Sequence, residues 1–173
     1  MRSVSLYIAL LLLLVAARNS AAGESEYQLK AAMLYNFAKF VEWPADSFGN
    51  DNRITFCIAG KSPLDAPIQQ MQGKPVKDRM VSIRQLAHPN DLAGCQMLFI
   101  PQSEYPRLSL YLEQAEHYPV VTVSDLDRFV ASGGIIGFYE EGSKLRFEIN
   151  LAAAQKQRLK FSSYLLNLTR RVR

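Results

Sequence analysis

Ile54-Thr55-Phe56-Cys57-Ile58-Ala59-Gly60 reads as a buried strand that runs into a glycine turn. Its residues are mainly β-branched, aromatic or small, and no charge interrupts them, the pattern of a strand covered on both faces. A short helical piece follows around Leu64 to Met71, and Met80 to Arg84 is the next strand. Beyond a turn at Pro89 to Asp91 come a strand at Gln96 to Ile100, a helix from about Tyr105 to His117, and a strand at Val120 to Val123. Leu126 to Ala131 reads as helical again. Strands alternating with helices specify an α/β fold, a mostly parallel sheet flanked by helices.

Both ends depart from this alternation. Upstream, Tyr27 to Trp43 contains neither Gly nor Pro and stops before Pro44, which predicts a helix. At about 100° per residue, Gln28, Asn36, Lys39 and Glu42 share one side, and Leu29, Met33, Leu34, Phe37, Phe40 and Val41 span a wide opposing arc. Such an arc suits a helix covered by its own sheet and a loop, or in part by another chain. Downstream, Ile135 to Glu140 and Lys144 to Asn150 are joined by Glu141-Gly142-Ser143, which predicts a C-terminal β-hairpin. A long final helix is expected from Leu151 to about Val172, with Asn150 as its cap and Arg170, Arg171 and Arg173 at the negative end of its dipole.

The chain opens as an export signal. Arg2 precedes an apolar run from Leu6 to Ala17, and Ser20-Ala21-Ala22 offers the small residues that a signal peptidase reads. Cleavage is expected after Ala22, giving a signal peptide at 1–22 and a single domain at 23–173. The apolar run falls short of the roughly 20 residues that span a bilayer, so the processed protein is not expected to cross the membrane. Loss of Arg2 and Arg18 lowers the formal charge from +4, which argues against nucleic acid as a partner.

Two cysteines, Cys57 and Cys95, lie in the exported part, where an even pair reads first as a disulfide. The bridge would contribute about 4 kcal/mol on the chain-entropy model. His88 and His117 stand at no ligand spacing from either cysteine, and no acidic or histidine cluster suggests a metal. No G-x-S-x-G elbow, complete phosphate loop or dinucleotide fingerprint is present. No cofactor and no catalytic residue are therefore assigned.

A ligand in an open parallel sheet binds beyond the carboxyl ends of its strands. Those ends carry Gly60-Lys61-Ser62, Gln102-Ser103-Glu104 and Ser124-Asp125. Lys61, Ser62, Ser103, Glu104, Ser124 and Asp125 are accordingly the candidate ligand or partner cleft. The same residue types serve as caps: Ser124 with Asp127 resembles a capping box, and Ser103 before Glu104 is a good helix start.

Leu29-Lys30-Ala31-Ala32-Met33-Leu34-Tyr35-Asn36-Phe37-Ala38-Lys39-Phe40-Val41-Glu42-Trp43-Pro44 resembles the opening signature of the YfiR family. The likeness continues through Gly73-Lys74-Pro75-Val76 with Arg79, Cys95 before Leu98-Phe99-Ile100, Ser103-Glu104, Val123-Ser124-Asp125, Gly133-Gly134-Ile135-Ile136 and Arg146-Phe147-Glu148-Ile149-Asn150. The resemblance implies a periplasmic, non-enzymatic regulator with a tendency to dimerise. Its implied partner is the periplasmic domain of an inner-membrane sensor or diguanylate cyclase, whose restraint controls cyclic di-GMP and biofilm formation. It also implies that Cys57 and Cys95 occupy a family disulfide, and that a second cysteine pair carried by some members is missing here. The alternative is a module that binds a small molecule or a cell-wall fragment at the strand ends. Exposed parts of the first helix and of residues 61–79 are the candidate partner surface.

Overall fold

The strand read at 54–60 is central to a seven-stranded sheet of order β3-β4-β2-β5-β6-β7-β8. The computed structural model describes residues 26–49, 52–169 and 172. The expected signal peptide at 1–22 and the three terminal arginines lie outside the described residues. The elements are α1 (26–40), β1 (Val41–Glu42), β2 (Arg53–Ala59), α2 (Asp65–Gln69), β3 (Pro75–Val76), β4 (Arg79–Leu86), β5 (Met97–Ile100), α3 (Leu108–Ala115), β6 (Val121–Ser124), β7 (Ile136–Glu141), β8 (Lys144–Ile149), α4 (Leu151–Lys156), β9 (Lys160–Phe161) and α5 (Ser163–Leu168).

Strands β4, β2, β5, β6 and β7 are mutually parallel, while β3 and β8 close the two edges antiparallel. All residues of β5 and β6 are buried, because helices and loops cover both faces. On one face Ile54, Phe56, Ile58, Met97, Phe99 and Val123 pack with Leu34, Phe37 and Val41 from α1 and β1. There Phe37 lies 4.8 Å from the Phe147 ring and 5.9 Å from that of Phe138. On the other face Cys57, Leu98 and Ile100 meet Leu108, Tyr111 and Ala115 of α3. Cys57 and Cys95 are bonded beneath this second layer, with their Cα atoms 5.9 Å apart. The Arg84 guanidinium donates to the carbonyls of Asp91 and Ala93 and to Cys95 Sγ, so one cation ties the bridge to the neighbouring turn.

Four helix readings require correction. The expected long final helix is broken: α4 ends at Lys156, Arg158 turns left-handed at φ 59°, and β9 pairs antiparallel with β1 before Ser162 caps α5. The Leu159 amide reaches the Ala154 carbonyl and the Arg158 amide that of Gln155, which is a Schellman ending built without glycine. Burial of Leu159 and the β1–β9 pairing outweigh helical propensity there. The first helix stops at 40 rather than at Trp43 for the same reason, since the Phe40 carbonyl accepts from the Ser162 amide. Leu126 to Ala131 forms turns, not a helix, because Ser124 Oγ takes the Leu126 amide and Arg128 is left-handed at φ 56°. The helix expected from Tyr105 is two pieces, a 3-10 segment at Gln102–Arg107 containing Pro106 and then α3.

Arg158→Gly is expected to stabilise the fold by about 1 kcal/mol, because a left-handed position costs an L-residue ~1–2 kcal/mol. The change loses the Arg158–Asp46 pair, which is exposed and contributes little. Thermal unfolding checks this, and a lower melting temperature would contradict it.

Candidate functional site

The order of strands reverses between β2 and β5, and the candidate residues flank that point. The structure brings Lys61, Ser103 and Glu104 together there, but it fills the crevice. Gly60 turns left-handed at φ 55°, and the Glu104 carboxylate lies where a Cβ on Gly60 would sit. Glu104 is buried and held by Arg107, whose Nε and Nη2 donate to its two oxygens at 2.7 and 2.8 Å. Ser103 Oγ donates to the Lys61 carbonyl at 2.8 Å, tying the loops after β5 and β2. Ser62 accepts from the Leu64 amide, and its own amide donates to Asp65. Ser124 Oγ, fully buried, donates to the Ile100 carbonyl at 2.6 Å. The three serines therefore act as local ties, and the six residues do not form one cleft.

Asp125 stands apart from that group. Its Oδ2 accepts from Lys30 Nζ at 2.6 Å and from Tyr27 OH at 3.1 Å, so the end of β6 grips the first turns of α1. Lys30 is only 3% exposed and is also paired with Glu26 one turn earlier. Burial opposes its charge, but the hydrogen bonds to Asp125 and Glu26 outweigh burial and raise its pKa. Burial, reinforced by the Asp125 charge, raises the pKa of Tyr27 as well. Sequence reasoning passed over Lys30. Its signal was its position: residues 27, 30, 34 and 37 share one face of α1, and a lysine in a buried stripe requires a partner.

This latch is one wall of a cleft of about 370 Å³ between the start of α1 and the β7–β8 hairpin, lined also by Gln102, Phe138, Glu140 and Leu145. Gln102 separates it from a second cleft of about 440 Å³ that contains Tyr105, Asp127 and Arg128. Among the described residues no three histidine, cysteine or acidic side chains gather to hold a metal ion. No helix among them is long and apolar enough to cross a membrane.

A family model described as YfiR/HmsC-like matches residues 27–170, from the first turn of α1 to the end of α5 and beyond. The chain belongs to the YfiR/HmsC-like family. Members are periplasmic regulators rather than enzymes. No curated protein matches the chain. Among solved structures, the crystal structure of a conserved domain protein from Vibrio cholerae O1 biovar El Tor is similar, with a TM-score of 0.50 and 8% identity over 72% of this chain. The chain spans about half the length of that protein, 55%, and at this identity the likeness concerns the fold alone. For a YfiR/HmsC-like domain the bonded Cys57–Cys95 pair is consistent with an exported, oxidising setting.

The latch gives a signed pH dependence. Lys30 and Tyr27 both have folded pKa values raised above their unfolded ones, so their contribution is complete below about pH 10 and is lost as pH rises through the folded values. Stability is expected to stay level from about pH 6 to 9 and to fall above about pH 10, more steeply than in Lys30→Met. Urea unfolding across this range checks it. Identical alkaline slopes in the two proteins would refute the latch.

Proposed function

We propose that the mature protein restrains a membrane-embedded diguanylate cyclase by binding its periplasmic part, and so limits cyclic di-GMP and biofilm formation. The match of the YfiR/HmsC-like model to nearly all the described residues carries this reading. The surface supports it. Leu29, Tyr164 and Leu168 are large apolar side chains 49, 59 and 54% exposed, and the Tyr164 ring packs tilted, 4.9 Å from that of Phe40 of α1. The two tyrosine and leucine positions on α5 lie one turn apart, as a docking stripe requires. The same stripe would serve a homodimer.

The test is direct binding between the mature protein and a purified diguanylate cyclase that retains its periplasmic domain. Tyr164→Asp with Leu168→Asp is expected to weaken binding by at least about tenfold, because apolar anchors dominate such interfaces. Undiminished binding by that variant would move the surface elsewhere. Failure of the native protein to bind would remove the reading. A second reading, binding of a small molecule or wall fragment, is favoured by the two adjoining clefts at the strand ends.

A further inference from the structure

We propose that the strand-end cleft beside Tyr105 binds a saccharide, with Tyr105 as stacking platform and Gln102, Asp127 and Arg128 as hydrogen-bonding groups. The proposal deepens the second reading above and is independent of the cyclase. The two clefts meet at Gln102 and measure about 370 and about 440 Å³, each within the range of small-molecule sites. They lie beyond the carboxyl ends of β5 and β6, where open α/β sheets place ligands.

The chemistry of the lining selects the class. The first cleft is acidic, with Glu26, Asp125 and Glu140 against Lys30 alone, whereas the second carries one acid and one base, Asp127 and Arg128, and so favours a ligand without net charge. Its lining offers flat polar groups: an exposed amide on Gln102, the exposed Asp127 carboxylate and the Arg128 guanidinium. Amide, carboxylate and guanidinium groups each engage two neighbouring donors or acceptors at once, matching adjacent hydroxyls on a sugar ring. The Tyr105 side chain is 61% exposed, although a ring of that size is ordinarily drawn toward the core. An exposed tyrosine beside flat polar groups offers an apolar face to the C–H side of a pyranose while its hydroxyl stays wet. Arg128 is held at φ 56°, a conformation that costs a non-glycine residue ~1–2 kcal/mol, and it borders the same cleft as Tyr105.

The probes are the disaccharide of N-acetylglucosamine, with spermidine and citrate as charged controls, titrated into the mature protein while melting temperature and tyrosine-region NMR shifts are followed. A saturable response to the disaccharide is expected, weakened by about tenfold or more in Tyr105→Ala and in Gln102→Ala and retained in Tyr105→Phe. Both truncations are at exposed positions, so the folded protein survives to be assayed. Sedimentation with purified cell-wall polymer then separates a polymeric from a free saccharide. The proposal is overturned by no saturable response to the disaccharide, by responses that Tyr105→Ala and Gln102→Ala leave unchanged, or by an equal response to spermidine or citrate. Because no membrane protein enters the assay, failure here leaves the cyclase reading intact, and failure there leaves this one intact.

Discussion

The double variant Cys57→Ala with Cys95→Ala is expected to lose about 4 kcal/mol of stability, a large fraction of the ~5–15 kcal/mol that holds a typical domain folded. The loop closed by the bridge is 38 residues long and contains α2, β3, β4 and the turn at Pro89–Leu92. Opening it restores that whole segment's freedom in the unfolded chain. Native packing adds to the cost, because Cys57 and Cys95 are 1 and 3% exposed and two sulfur atoms leave a small void. Arg84 limits the damage, since its guanidinium keeps the carbonyls of Asp91 and Ala93. Urea midpoints of the native and double-variant proteins measure the difference. A shift below about 1 kcal/mol would show that residual structure in the unfolded state, not the covalent link, restrains this segment.

Gly60→Ala is expected to cost about 3 kcal/mol, for two separable reasons. A left-handed backbone at φ 55° is strained for alanine, and the new Cβ would collide with Glu104 Oε1. Glu104 cannot swing aside cheaply: it is buried, and both its oxygens are held by Arg107. Displacing it weakens a pair of charge-assisted bonds beside the Ser103–Lys61 tie that joins the same two loops. A double-mutant cycle separates the two costs. In a Glu104→Ala background the substitution should cost only the backbone part, ~1–2 kcal/mol. Equal costs in both backgrounds would show that Glu104 does not press on Gly60.

The parallel core was readable because residues 54–59, β5 and β6 carry no charged residue, as a sheet covered on both faces requires. Errors fell where long-range pairing overrode local preference. Residues 157–161 contain no glycine or proline, yet Arg158 turns left-handed so that Leu159 can be buried and Lys160 and Phe161 can meet Glu42 and Val41. Nothing within that segment announces a partner more than a hundred positions away. The strand-end residues show the same limit. A serine that ties two loops and one that faces a ligand look alike in sequence until the partner carbonyl is known. Lys30 was the better clue, a charge placed in a buried stripe.

Restraint of a membrane cyclase from the periplasm is read out by cellular cyclic di-GMP in a strain lacking this protein. Cyclic di-GMP is expected to rise on deletion and to be restored by the full chain but not by residues 23–173 produced without the leader. An unchanged cyclic di-GMP level on deletion, in cells shown to produce the protein, would contradict it.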